Sequence, residues 1–453
     1  VAKTLGEAPF ASLEKTTVEG LPIAPLYAPG ELPSEQAFPT RPFDADRHWD
    51  VRALTAHPEP GRANAEILAD LRGGAASAVV RLDPTGEHGV AVGSAEGLAR
   101  VLDGVILELA PVALDAGFLG PKAADWLGAV AKASPGAKLN FHLDPLSAFA
   151  EAGASPGPIE SHLVSGATVA TRLADTYPHA QLFLASGRVV HEAGGGEALE
   201  VAFAAAAAVT YAKALMRAGL PMSAAFAGIT LGLAADADYF LTIAKLRAAR
   251  AVFARIAVAC EAGPQARIEA RSSRRMLTAT DAWTNMIRLT AAGFGAAVGG
   301  TDAVVLGNFT DALGLPTAFA RRQSRNAQLV LMEEAHVGRV ADPAAGAGYV
   351  EAMTDQIARA AWATFQEIEA AGGLIAALQS GRIAREVAAA NAARPEPKIL
   401  GVTVFPPDQD APVEVVRPAA TPVDAPSPKL PGPDSHCPPL RPIRLSEPFE
   451  AQA

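Results

Sequence analysis

Over residues 61–395, short apolar runs alternate with longer stretches in which apolar side chains recur three and four positions apart. The first pattern suits buried strands and the second suits amphipathic helices. Strands are expected at Ala76–Leu82, Val105–Pro111, Lys138–Leu143, Gln181–Ser186, Ala227–Leu233, Arg267–Arg271, Ala303–Gly307 and Gly338–Ala341, each followed by a helical pattern. In DADYFLTIAKLRAARAVFARIAVAC, Phe240, Ile243, Leu246, Phe253 and Ile256 fall at helical spacing, with Asp236 or Asp238 as the cap. In LTATDAWTNMIRLTAAGFGAAVGG, Thr280 or Asp281 precedes a helix that should end at Gly299–Gly300. Alternation of strand and helix predicts an α/β fold with a parallel sheet. Eight such units predict a closed (β/α)8 TIM barrel, with any site at the carboxyl ends of its strands. The competing open, doubly wound sheet lacks a G-x-G-x-x-G after its first strand.

The flanks read differently. Residues 1–60, with GLPIAPLYAPGELP and FPTRPFDADRHWD, are expected to form an extended arm, and residues 396–453 an extended, Pro-rich tail. Proline cannot continue a helix or donate to a ladder, so the tail is either free or draped over a surface. Arm and tail together carry Leu21, Ile23, Leu26, Tyr27, Val402, Val404 and Phe405, and contact with a partner chain is expected to order them.

Val201–Leu220 has the length of a membrane span, but it is mostly alanine and carries Lys213 and Arg217, so a packed helix is expected. The 38 Lys and Arg residues face 48 Asp and Glu, a net charge of −10. An acidic chain without a basic run argues against nucleic acid and anionic membrane as partners. Two distant cysteines, Cys260 and Cys437, and the absence of an apolar run at the start fit a cytoplasmic protein.

Motif chemistry is sparse. The sequence has no phosphate-loop motif, no H-E-x-x-H, no C-x-x-C and no G-x-S-x-G, and no metal site is expected. His191 follows the fourth expected strand, where a barrel enzyme places catalytic groups, but an ordinary solvated loop histidine is the preferred reading. The run RSSRR, Arg271–Arg275, could receive a phosphate or, by preference, pair with acidic residues across an interface. Glu333 and Glu334 point about 100° apart on a helix and are expected to be solvated or salt-bridged rather than an acid–base pair. Asp434-Ser435-His436 begins like the cobalamin signature D-x-H-x-x-G, but the glycine is missing and little chain follows. The match is read as chance.

From Gly187 to Gly373 the sequence resembles the adenosylcobalamin-dependent acyl-CoA mutases, above all methylmalonyl-CoA mutase. The segments HEAGGGEALEVAFAAAAAVTYAKALMRAGL, YFLTIAKLRAAR, LTATDAWTNMIRLTAAGFGAAVGGTDAVVLGNFTDALGLPTAFARRQSRNAQLVLMEEAHVGRVADP and WATFQEIEAAGG carry the likeness in order. EGLPIAPLY and HWDVRAL resemble the family's N-terminal region. The resemblance implies a barrel with coenzyme A threaded along its axis and a separate flavodoxin-like domain for cobalamin; no complete cobalamin-binding domain is expected here.

Departures from the family pattern carry the functional expectation. Where active members read S-G-Y-H-x-x-E-A-G, this chain has Ser186-Gly187-Arg188-Val189-Val190-His191-Glu192-Ala193-Gly194, so Arg188 and Val189 stand in the Tyr and His positions. The R-Q-Y frame becomes Arg52-Ala53-Leu54. In a motif resembling H-x-Q-T-S-G, Glu269 replaces the His, Arg271 the Gln and Arg274 the Gly. With Leu54, Arg188, Val189, Glu269 and Arg271 all altered, no catalytic residues and no cofactor-binding residues are assigned. The resemblance implies a small, non-catalytic subunit of a heterodimeric mutase, with adenosylcobalamin on a catalytic large subunit. The alternatives are an active barrel that borrows cobalamin from a separate subunit, and an orphan acyl-CoA-binding protein.

Overall fold

A computed structural model describes residues 9–28, 38–42, 44, 46–427 and 430–450. Parts of the expected arm, including residues 1–8 and 29–37, lie outside the described residues, as do residues 428–429 and 451–453 of the tail.

Eight parallel strands close into a barrel: β1 Asp50–Thr55, β2 Ser77–Arg81, β3 Val112–Asp115, β4 Leu139–Leu143, β5 Gln181–Ser186, β6 Ile229–Ala235, β7 Arg267–Ser272 and β8 Ala303–Val305. Neighbours in sequence are neighbours in the barrel, and β8 pairs with β1 to close it. The helices that matter below are α1 Pro60–Arg72, α2 Ala95–Val101, α3 Gly120–Val130, α4 Ile159–Thr176, α5 Glu197–Arg217, α6 Tyr239–Ala259, α7 Asn285–Val298, α8 Ala318–Leu329 and α9 Gly348–Ala370. Outward side chains such as Val51, Ala78, Val80, Leu114, Phe141, Leu143, Ile268 and Val304 join the helices in one large apolar cluster.

The expected (β/α)8 TIM barrel is therefore present, with two strands misplaced. The first strand, Asp50–Thr55, falls inside the segment read as an arm. Gly338–Ala341 forms turns and bends. Val105–Pro111 is also a turn region, with Ile106 and Leu109 exposed; the strand that follows it is Val112–Asp115. The strands expected fourth and sixth are thus β5 and β7. Asp238 caps α6 by accepting from the Leu241 amide, as one of the two expected candidates. Helix α7 ends at Gly299, and Gly300 takes a φ of 77° that favours glycine. The apolar segment at Val201 lies in α5, which packs on β5, β6, α4, α6 and α9 as a core helix.

The tail is draped over the barrel's own mouth, where the βα loops cluster. Leu400 accepts from Arg288 at the start of α7, and Asp410 accepts from the Asp281 amide. Val416 pairs with Leu315 after β8, and Val423 donates to Pro84 after β2. Ser435–His436 pairs antiparallel with Ala154–Ser155 after β4. Ile443 then donates to Glu192 after β5, and Leu445 to Arg275 after β7. Glu450 finally accepts from Ala279, close to where the lap began. The described tail residues thus meet loops all round the rim. Asp434-Ser435-His436 serves a local purpose there. Asp434 accepts from the Gly157 amide at 2.6 Å and Ser435 from the Ile159 amide at 3.1 Å, at the entry to α4. Such side-chain caps satisfy donors the helix leaves free.

The described part of the arm likewise packs on this chain. Leu21 and Ile23 pack against the core, and Tyr27 meets Tyr349 at 5.7 Å between rings. Glu19 accepts from the Ala198 and Leu199 amides, both at 2.8 Å, and so caps α5 from a distant part of the sequence. Burial, with Glu197 and Glu200 nearby, pushes the Glu19 carboxyl up to about 7, against the pull of the two amides.

This sets a sign for pH. A carboxyl that binds its proton more tightly when docked favours docking most below its ordinary value of about 4.5, and that contribution is lost as pH rises through about 7. Cleavage by trypsin at the exposed Lys15 should therefore rise in the native chain relative to Glu19→Gln between about pH 5 and about pH 8. A ratio that stays flat across that range refutes the coupling.

Candidate functional site

In a strand, alternate residues face opposite sides. The inward set of this barrel includes Asp50, Arg52, Leu54, Ser77, Val79, Ala113, Asp115, His142, Glu269, Arg271 and Val305. Leu54, Val79, Ala113 and Val305 form a small apolar cluster of their own inside the barrel, apart from the main core. Around it the interior is ionic. Arg52 donates to Glu269 Oε2 and to Asp50 Oδ2, both at 2.8 Å, and to the Ser77 hydroxyl at 2.9 Å. Arg271 donates through Nε to Glu269 Oε1 at 2.7 Å and through Nη1 to Asp115 Oδ2 at 2.7 Å.

The position of that last pair decides what the axis can hold. In the closed order, β7 and β3 stand on opposite sides of the barrel. The Arg271–Asp115 bridge therefore crosses the axis, and Arg52–Glu269 braces β1 to β7 beside it. Arg81 joins Asp115 at 3.2 Å from β2. A cavity of about 30 Å³ lies beside Arg52 and Leu54, reaching toward α8. That is space for a water molecule, against the several hundred Å³ that organic ligands occupy.

The electrostatics follow from the pairing. Burial alone would raise the Glu269 carboxyl, but Arg271, His142 and Arg52 hold it well below the usual carboxylate range. Asp115 is held down in the same way, against burial, by Arg81 and Arg271. His142 has a φ of 46° and sits 3.9 Å from Glu269, with no hydrogen-bonding partner for either nitrogen among the described residues. Burial lowers its pKa to about 4, so it is neutral near neutral pH despite the carboxylate.

Each residue singled out in the sequence has a place. Leu54 lines the apolar interior, and Val189 is buried in the main core. Glu269 and Arg271 are the centre of the ion network. Arg188 stands at the mouth, on the short helix Arg188–Glu192 after β5. His191 is not a solvated loop residue: it is fully buried, with Nε2 3.0 Å from Asp236 and Nδ1 3.3 Å from Glu200. Lys245 closes on Glu200 at 2.6 Å and Arg275 on Asp236 at 2.8 Å, so a buried polar chain running through His191 ties α6, α5 and the loops after β5, β6 and β7. In the RSSRR run Arg271 and Arg275 pair within this chain, and Arg274 is exposed. Glu333 and Glu334 are exposed.

Sequence reasoning missed Asp50, Asp115 and His142. The one available signal was a charged residue inside a strand-like run, as in DVRALT and VALD; their partners are remote in sequence.

Comparison with known proteins places this geometry. Residues 19–424 match the methylmalonyl-CoA mutase family. The chain is 40% identical over 440 residues to the methylmalonyl-CoA mutase small subunit of Streptomyces virginiae, spanning 92% of this chain and 70% of that one. It is 36% identical over 396 residues to the small subunit of Propionibacterium freudenreichii subsp. shermanii, spanning 83% and 60%. Against the methylmalonyl-CoA mutase of Cereibacter sphaeroides the identity is 29% over 449 residues, spanning 89% and 63%.

Breaking one member of a buried ion pair leaves the other charge uncompensated, which typically costs about 3–5 kcal/mol. Glu269→Gln should destabilise the chain by about that amount in urea denaturation, because Arg52 and Arg271 both lose an anion. The double change Asp115→Leu with Arg271→Met should cost less than the sum of its singles. Additive losses would show that the cross-axis bridge is not energetically coupled.

Proposed function

The chain belongs to the methylmalonyl-CoA mutase family, and from that premise we propose that it is the non-catalytic small subunit of a two-chain mutase. Its partner is the catalytic large subunit, which binds adenosylcobalamin and interconverts methylmalonyl-CoA and succinyl-CoA. The observation that carries this reading is the bridge from Arg271 to Asp115 across the barrel axis. Coenzyme A would have to thread where these side chains meet, and the residues present do not fit it.

Cobalamin fares no better on Asp434-Ser435-His436. The Asp and Ser side chains are committed to the entry of α4, and the segment is paired with Ala154–Ser155. The pattern of identity points the same way: 36–40% to relatives named small subunit, against 28–29% to relatives named mutase without that designation. Val189 has no donor for a thioester carbonyl, and Leu54 has no hydroxyl. Losing one positioned donor typically costs about 10²–10³ in rate, and several are gone together. What remains is scaffold: the barrel, the capped helices and the stitched rim. A cytoplasmic location suits two free cysteines.

Co-expression with a catalytic mutase chain tests the assignment. The two should co-purify as a stoichiometric complex with mutase activity, and this chain alone should show none when adenosylcobalamin is supplied. Turnover by the isolated chain, or failure to associate with any catalytic chain, overturns the reading. Restoring the family residues as Arg188→Tyr with Val189→His should also leave the isolated chain without measurable succinyl-CoA formation. The cross-axis bridges are untouched by that change, and groups that act as a unit do not recover singly. Detectable product from the double variant would show the axis to be passable.

A further inference from the structure

One guanidinium at the mouth of the barrel stands outside its network of ion pairs. Asp50, Asp115 and Glu269 are shared among Arg52, Arg81 and Arg271 in a connected set of ion pairs. Arg188, at the end of β5, makes no ion pair or hydrogen bond among the described residues. Its charge is opposed first by burial and then by Arg271 and Arg81, and favoured by Glu192 and Asp115; the carboxylate of Glu192 is engaged by the Arg274 amide at 3.2 Å.

A second guanidinium completes the picture. Arg271 is only 3% exposed, and two of its nitrogens are bonded to Glu269 and Asp115. Its third, Nη2, is buried without a protein partner among the described residues, as is Nε of Arg188. An unpaired buried donor on a cation is costly, and an oxyanion accepting from two guanidiniums removes that cost. The Arg81 side chain, 30% exposed, pairs with the same Asp115 carboxylate that Arg271 engages.

We propose that Arg188 and Arg271, bordered by Arg81, form a binding site for a small oxyanion, a phosphate or a carboxylate, at the mouth of the closed barrel. The site uses two residues that depart from the family pattern. It needs neither coenzyme A nor a passage along the axis, so it stands apart from the assignment of this chain as a non-catalytic subunit. The Arg271 fork is half spent on the internal bridges, and Arg188 supplies the free fork. A guanidinium grips an oxyanion through paired, parallel donors that an ammonium cannot reproduce. Phosphate, carrying more charge and more acceptors, should bind more tightly than acetate.

The experiment uses the full chain at constant ionic strength, with sodium phosphate or sodium acetate replacing sodium chloride. Phosphorus-31 line broadening reports binding directly, and thermal melting reports linkage. The native chain should show saturable broadening and a saturable rise in melting temperature with phosphate, and a smaller rise with acetate. Arg188→Ala should weaken phosphate affinity by about tenfold or more. Arg188→Lys should fall between the two, and Arg322→Ala, on the exposed face of α8, should match the native chain. In chloride, Arg188→Ala should melt no lower than the native chain, because an unpaired cation has been removed; in phosphate the order should reverse. Absence of broadening in the native chain overturns the proposal. So does an equal phosphate response in Arg188→Ala and the native chain.

Discussion

Charge placed inside a closed barrel must be neutralised there, and most of this structure follows from that requirement. A barrel interior is normally filled by layers of branched apolar side chains. Here Arg52, Glu269, Arg271 and Asp115 occupy it, each nearly or partly withdrawn from water. The cost of desolvating such groups is several kcal/mol per ion before any pairing is counted. It is offset only if every guanidinium and carboxylate meets its counterpart at hydrogen-bonding distance. That condition fixes the relative height of β1, β3 and β7, because a shift of two residues along any of them breaks a bridge. The ion network therefore specifies register as well as filling space, and Arg188 is the group the arrangement leaves over.

The rim obeys a related rule. Loops at the mouth of a barrel enzyme have to move to admit ligand and exclude water. Here a proline-rich segment circles those loops and bonds to them after β2, β4, β5, β7 and β8. Proline suits this work. It is extended without internal hydrogen bonds, so its free carbonyls and the intervening amides are available to the loops it crosses. Asp434, Ser435 and Glu19 add carboxylate and hydroxyl acceptors where α4 and α5 begin. The same residues that resembled a cobalamin signature are thereby explained by the orphan amides of a helix entry.

What the sequence revealed depended on which side of a strand carried the information. Gln181–Ser186 and Arg267–Ser272 were legible because their outward residues are apolar and their flanks are helical. The strand Asp50–Thr55 was not, because its first half, Asp50-Val51-Arg52-Ala53, alternates polar and apolar residues and sits after a run of turn formers. Alternation is ordinarily read as one wet face and one dry face, but in this barrel the polar face is the interior. Val105–Pro111 failed in the opposite sense: it is apolar but forms turns, with Ile106 and Leu109 exposed. At the site, the altered positions were visible one by one. Their partnership was not, since Asp115 and Arg271 are remote in sequence and meet only because β3 and β7 face each other. His191 was misjudged for the same reason, its partners Glu200 and Asp236 lying on other elements.

An axis that must accept a ligand cannot also be filled with its own side chains. A catalytic barrel therefore leaves polar groups to be satisfied by substrate, and the protein without substrate carries that deficit as lost stability. In this chain the deficit has been largely closed from within: Glu269 stands where the family pattern has a histidine, and it engages both Arg52 and Arg271. The exchange removes a group suited to touching substrate and adds one suited to bracing strands. Such a change suits the non-catalytic role proposed for this chain, in which the outer surface carries its contribution. Under that proposal the bridges that close the axis to a ligand are the same ones that brace the strands on which the outer surface is built.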